Sequence, residues 1–174
     1  MILISATNRG SVRRENDFYE TPEWVTQSLI DKTRWSKDIK LLEPCVGTGA
    51  IEGVLRKNGY LNIDWCEIAR GKDFFEYSPG IIYDAIVTNP PYTYAQEFID
   101  HGLAMADEVY MLLRINFLGA QKRYEWWSQN YLKKIYVLSR RPKFIKKGSD
   151  ATEYGWFVFS KHHQGNLIEI DWLL

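Results

Sequence analysis

Apolar residues along this chain alternate between short continuous runs and stripes at helical spacing. Ile39-Lys40-Leu41-Leu42 reads as a first strand, and Ile51, Val54 and Leu55 mark one face of the helix that follows. Asn58-Gly59 predicts the stop of that helix, because glycine readily takes the left-handed conformation that ends one. Ile63-Asp64-Trp65-Cys66 predicts a second strand and Tyr83 to Val87 a third. Ala95, Phe98, Ile99, Leu103 and Ala106 then fall on one helix face, and Val109 to Leu113 is the unbroken apolar run of a buried strand. Upstream, Thr21-Pro22 has the form of an N-cap followed by proline at the first helical position. It predicts a helix from Pro22 to about Lys32 that turns Trp24, Val25 and Leu29 inward.

Strands joined by single helices imply right-handed crossovers and a mostly parallel sheet with helices on both faces. The end of the chain breaks that rhythm. Ile135 to Leu138 and Trp156 to Phe159 have no helical stripe between them and predict an antiparallel pair at one sheet edge; Leu167-Ile168-Glu169-Ile170 would add a short last strand. The expected fold is therefore α/β and Rossmann-like, with seven strands. No repeat, low-complexity tract or linker interrupts it, so residues 1–174 are expected to form a single domain.

Composition narrows the class. Hydrophobic residues at 45% and aromatics at 15% exclude a disordered or collagen-like chain. No apolar run approaches the roughly 20 residues that span a bilayer. Met1-Ile2-Leu3-Ile4-Ser5 lacks the basic and long apolar regions of a signal peptide, which predicts a soluble, cytoplasmic protein with no membrane partner. Cys45 and Cys66 are too few for a disulfide framework, and neither they nor His162-His163 have metal-ligand spacing. No metal site is expected.

Net charge is zero, yet seven of the 22 basic residues fall between Lys133 and Lys147 with no acid among them. Tyr136 and Phe144 are interleaved with these cations. The run reads either as a solvated charged face or as a phosphate-contacting edge.

The chemistry-bearing segments stand at strand ends. Glu43-Pro44-Cys45-Val46-Gly47-Thr48-Gly49 lies where the first strand turns into its helix, and Gly47 and Gly49 allow a tight bend and close approach of a ligand. A pyrophosphate site prefers such a turn free of acids. Here Glu43 stands at the strand end, and Glu67 closes the second strand 18 residues after Gly49. A carboxylate in that second position can accept from two ribose hydroxyls. Asp73 could accept from an adenine amino group while Phe74 packs on its ring. The set fits a nucleoside whose other end is cationic, such as S-adenosylmethionine. At the end of the third strand, Thr88-Asn89-Pro90-Pro91-Tyr92 combines carbonyl acceptors, a rigid backbone and one flat aromatic surface. That suits a planar ring bearing an exocyclic amino group.

Taken in this order, the glycine turn, the acid after the second strand and Asn-Pro-Pro-Tyr resemble the S-adenosylmethionine-dependent amino-methyltransferases. The DNA adenine-N6 family is the most similar, including its small stand-alone members from phages and mobile elements. The resemblance covers roughly residues 18 to 160 and implies a class I methyltransferase fold. Phe18-Tyr19-Glu20-Thr21-Pro22 matches the family's first element, which implies that Tyr19, Thr21 and Pro22 serve the cofactor's methionine end. Cys45, Ile68 and Asn89 join the implied cofactor set. Asn89 and the Pro90 carbonyl would accept the two hydrogens of the target amine, with Pro91 holding the turn and Tyr92 stacking on a base flipped from its helix. Phe144 is the candidate for the opposite face of that base. Arg140, Arg141, Lys143, Lys146 and Lys147 are candidates for phosphate contact.

Only 15 residues separate Asp73 from Asn89 and 14 follow Ser160, so the family's target-recognition domain has no room at either place. The expected partner is nucleic acid, duplex DNA first. A homodimer or an accessory subunit could supply specificity, and a phage-encoded enzyme would work in its host's cytoplasm. Three other readings stay open: methylation of adenine in RNA, methylation of a protein glutamine, and a degenerate methyltransferase acting as a binding subunit. Loop residues 115–124 and 140–152 are where target contacts are expected.

Overall fold

The computed structural model describes residues 20–129, 131–144, 152–163 and 165–174. The chain enters helix α1 (Glu23–Thr33) one residue later than the Thr21-Pro22 signal predicts. Pro22 takes the capping position with an extended ψ of 139°, and its carbonyl accepts the Val25 N–H at 2.9 Å. Thr21 is thereby released from capping and turned inward.

Strand β1 (Leu41–Glu43), helix α2 (Ala50–Lys57) and strand β2 (Ile63–Trp65) follow as expected, with Asn58 capping α2 and Gly59 at φ 82°. No α-helix joins β2 to β3 (Tyr83–Thr88). That crossing consists of two single-turn 3-10 helices, Ile68–Arg70 and Phe74–Glu76, each capped by the carboxylate before it, Glu67 and Asp73. Helix α3 (Ala95–Met105) runs directly into strand β4 (Ala106–Arg114), so Ala106 opens the strand rather than closing the helical stripe. A four-residue helix α4 (Tyr124–Trp127) precedes β5 (Leu132–Leu138), β6 (Tyr154–Ser160) and β7 (Glu169–Leu173).

The seven strands form one sheet in the order β2-β1-β3-β4-β6-β5-β7. Every strand but β6 points the same way; β6 lies antiparallel between β4 and β5. The expected antiparallel pair occupies one end of the sheet, and β7 continues beyond it, parallel to β5. It spans 169–173 rather than 167–170. Leu173 is buried there, while Glu169 and Asp171 form ion pairs with Lys134 and Lys32.

Side chains alternate across the sheet and divide the core in two. Leu41, Ala85, Val87, Leu112 and Trp156 meet Val25 and Leu29 of α1 and Ile51, Val54 and Leu55 of α2. Leu42, Ile86, Val109, Met111, Phe157 and Phe159 meet α3 and Trp126 of α4. The Trp156 indole N–H donates to the Val25 carbonyl at 3.1 Å, fixing α1 to the antiparallel strand. Among the described residues no helix is long and apolar enough to cross a membrane. Because β2 and β3 flank β1, the loops beyond their carboxyl ends open onto one place, where ligands bind in open α/β sheets.

Candidate active site

The turn after β1 is held from several directions. Gly47 and Gly49 have φ of 52° and 88°, in the region that side-chain-bearing residues seldom occupy, and the Gly49 N–H closes onto the Val46 carbonyl at 2.7 Å. Glu67 reaches across from the end of β2: its Oε2 accepts the Gly47 N–H at 2.9 Å, and its Oε1 accepts the Ala69 N–H at 3.1 Å. Arg70 donates to the Gly47 carbonyl at 2.9 Å. A carboxylate has about four lone-pair sites. Two remain on Glu67 beyond those that hold the turn.

Glu43 is only 2% exposed, and its Oε2 accepts the Glu52 N–H at 2.9 Å in the first turn of α2. Burial holds its carboxyl well above the usual carboxylate range; the Glu52 N–H opposes this, and the Glu52 and Glu67 carboxylates reinforce it. Cys66 is fully buried beside this loop, and burial pushes its thiol up to about 11, as expected of a structural cysteine.

Asn89 follows β3, and its Nδ2 donates to the hydroxyl of the inward-turned Thr21 at 3.2 Å. Pro90 is buried. The Tyr94 N–H bonds the Pro91 carbonyl at 2.9 Å, shaping the next residues into a single-turn 3-10 helix, Tyr92–Tyr94. The Tyr92 ring is 6.0 Å from that of Tyr154, and the Arg114 guanidinium lies over it at 5.3 Å.

These loops enclose one cleft. Thr21, Glu43, Cys45, Gly47, Glu67, Asn89, Pro90, Pro91 and Tyr92 all line it, joined by Glu20 and Thr48, whose side chains bond at 3.1 Å. A shallower groove continues from it past Glu20 and Thr21 to Pro22, Gly49, Lys143 and Phe144.

Other expected site residues lie elsewhere. Phe74 is 2% exposed and stacks on Phe98 at 5.1 Å, in the core under α3 rather than against a bound ring. Its apolar ring completes that core better than it would line a solvent-open cleft. Asp73 accepts the Phe75 N–H at 3.0 Å, and neither it nor Ile68 lines the cleft. Phe144, expected across the cleft from Tyr92, packs edge-on against Tyr154 at 5.0 Å and faces the groove. Tyr19, Lys146 and Lys147 lie outside the described residues, as do 145–151 of the expected target loop.

The basic run divides. Lys133 and Lys134 sit at the amino end of β5, remote from the cleft, paired with Glu108 at 2.6 Å and Glu169 at 3.0 Å. Arg140 lies over the Trp24 ring at 4.0 Å and Arg141 pairs with Glu153 at 2.5 Å, leaving Lys143 as the member that lines the groove among the described residues. In the 115–124 segment, Arg123 donates twice to the Phe117 carbonyl, at 3.1 and 2.8 Å, and so folds the loop onto itself.

Glu20, Thr48, Arg114 and Tyr154 stand in or against the site without being singled out by the sequence patterns. Thr48 stood inside the glycine turn, and Arg114 was the charge ending a buried apolar run at the sheet's carboxyl edge; both signals were available. Nothing local marked Tyr154.

No protein-family model and no curated protein sequence matches the chain. Solved structures do. A protein of Listeria monocytogenes described as a class I S-adenosylmethionine-dependent methyltransferase superposes with a TM-score of 0.64 at 12% identity, over 92% of this chain and 67% of its own. A Pyrococcus horikoshii protein described as an RNA methyltransferase gives 0.61 at 14% identity, over 82% and 87%. The fold is that of the class I S-adenosylmethionine-dependent methyltransferases. The methyltransferase subunit of a type I restriction-modification system from Streptococcus thermophilus shares it too, with a TM-score of 0.60 and 12% identity. That match takes in 88% of this chain but 47% of the subunit, so the chain spans about half the subunit's length.

Within this fold the cleft occupies the ligand-binding end of the sheet. Among the described residues that line it, Glu20, Glu43 and Glu67 are acidic, and none is basic. Such a lining offers a pyrophosphate no cationic partner and suits a cationic ligand.

Proposed function

We propose that the protein transfers a methyl group from S-adenosylmethionine to the N6 amino group of adenine in DNA. One observation carries the reading: the Asn89-Pro90-Pro91-Tyr92 turn and the acid-lined glycine turn after β1 form walls of the same cleft. Donor and target would therefore meet without any large rearrangement.

The residues present fit the donor. Glu67 has acceptor capacity for ribose hydroxyls, and the acidic lining suits both the amino group and the sulfonium. When bound, S-adenosylmethionine supplies a methyl group on a positively charged sulfur that departs as a neutral thioether. The protein needs neither a covalent intermediate nor a strong base, only placement, because the methylated nitrogen is cationic and sheds its extra proton to water.

Adenine's amino lone pair is delocalised into its ring and is a poor nucleophile. Asn89 Oδ1 and the Pro90 carbonyl, accepting its two hydrogens, would draw it toward a pyramidal geometry. With Asn89 Nδ2 bonded to Thr21, Oδ1 is the end of the amide that can act as the acceptor. Tyr92 stacks on the flipped base. Stacking of about 1–3 kcal/mol per base offsets much of an unstacking cost of a few kcal/mol. The groove beyond Thr21, with Lys143 and Phe144, would receive the strand beside the target.

Calorimetric titration with S-adenosylmethionine, followed by labelled methyl transfer to duplex DNA and to total RNA, tests this. Binding and transfer to DNA are expected. Transfer to RNA alone would replace the substrate, and no binding of the donor would favour the degenerate subunit.

A further inference from the structure

Pro90 and Pro91 restrict the backbone leading to Tyr92, but they leave its side-chain torsions free. Those torsions are set by what the ring packs against. Arg114, the last residue of β4, stands in register with Tyr154 of β6. Its Nε donates to the Tyr154 hydroxyl at 3.1 Å, and its guanidinium carbon lies 5.3 Å from the Tyr92 centroid and 6.0 Å from that of Tyr154. Tyr154 is 1% exposed and braced by Phe144 at 5.0 Å. A rigid sheet position therefore carries a cation onto a ring that lines the cleft. Arg114 does not line the cleft itself.

We infer that Arg114 is a positioning residue for the base-stacking surface. It holds the Tyr92 ring at a fixed tilt before the target arrives, so less freedom is lost on binding. Its charge also draws electron density from the ring, which favours stacking by an electron-rich purine on the open face. The inference rests on the reading of Tyr92 as the surface that receives the flipped base, and it assigns the geometry of that surface to a residue of β4.

A double-mutant cycle tests it, using Arg114→Ala, Tyr92→Ala and the double variant. The readouts are kcat/KM for methyl transfer to unmethylated genomic DNA, with total RNA in parallel, and the Kd for S-adenosylmethionine. Arg114→Ala is expected to lower kcat/KM about tenfold, on the scale of a single cation–π contact, while leaving the donor's Kd unchanged. In the Tyr92→Ala background the same change should cost little more, because its effect passes through that ring. A full loss in that background, or no loss in the wild type, overturns the inference. Should Arg114→Ala fail to fold, Arg114→Gln, which keeps a donor for Tyr154 but removes the charge, enters the same cycle. Failure of the wild-type protein to methylate either polymer would overturn the underlying reading instead.

Discussion

Asn89 donates a hydrogen bond to Thr21 across 68 positions of chain, joining the end of β3 to the residue that precedes the cap of α1. The contact holds the amide by its Nδ2 end. Thr21→Val keeps the shape and removes the acceptor, so the turnover rate should fall about tenfold, the scale of one oriented hydrogen bond. Thr21→Ser should retain most activity. Asn89→Ala removes the acceptor that the target amine needs and should abolish transfer with little change in S-adenosylmethionine affinity. Radiolabelled transfer together with calorimetry separates the two effects, and a large loss of donor binding in Asn89→Ala would refute the assignment.

Glu43 makes stability depend on pH. Folding raises its carboxyl above the ordinary value of 4.5, so the folded state holds this proton more tightly than the unfolded state does. The contribution is complete below 4.5 and is lost as pH rises through the folded value. Glu43→Gln, a mimic of the protonated form, should match the wild type in acid and melt higher near neutrality. For a chain of this size each kcal/mol corresponds to about 2–4 °C. Melting curves against pH for the two proteins should diverge upward from 4.5; parallel curves would exclude Glu43 as the source.

Gly155 lies on β6 between Leu113 and Val137, and a Cβ there would come within 2.8 Å of the Tyr136 carbonyl oxygen. The obstacle is sheet backbone, which cannot swing aside as a side chain can. Gly155→Ala should cost about 1–3 kcal/mol, as overpacking in a core does. Thermal melting should show this, and an unchanged midpoint would mean that the sheet yields more easily than its hydrogen bonding suggests.

Lys143 is the described basic residue of the 140–147 stretch that lines the groove beside the cleft. Replacing it with Ala should weaken DNA binding and make the salt dependence shallower by about one phosphate contact. The double variant Lys133→Ala, Lys134→Ala should leave that slope unchanged. Fluorescence anisotropy across a salt series distinguishes them.

The strands were legible because buried parallel strands are continuous apolar runs, and Ala85-Ile86-Val87 or Val109 to Leu113 admits few other readings. The cleft was legible where chemistry and chain position coincide, at Gly47, Glu67 and Asn89. What could not be read was the direction of side chains. Glu67 and Asp73 look alike in sequence, yet one carboxylate borders the cleft and the other only caps a 3-10 turn. Phe74 follows Asp73 and is buried beneath α3, which local sequence cannot reveal. The basic run divides for a geometric reason: at about 3.3 Å per residue, a strand carries its two ends to opposite edges of a sheet. Lys133 and Lys143 thus share a segment but not a surface. Arg114 and Tyr154 meet over 40 positions, and only strand order brings them together.

Both neighbours of β5 are made after β5 itself. It bonds to β6 and β7, while β4, its predecessor, is occupied on that side by β6. On a ribosome, residues 132–138 therefore wait with both edges unpaired, and the Arg140 to Phe144 stretch has no sheet to position it until 154–160 emerge. Trp156 also supplies the bond that fixes α1, 131 residues earlier. The first helix and the groove beside the cleft are thus settled only after residues 154–160 have been made, so a nascent chain would gain this binding surface only once they emerge.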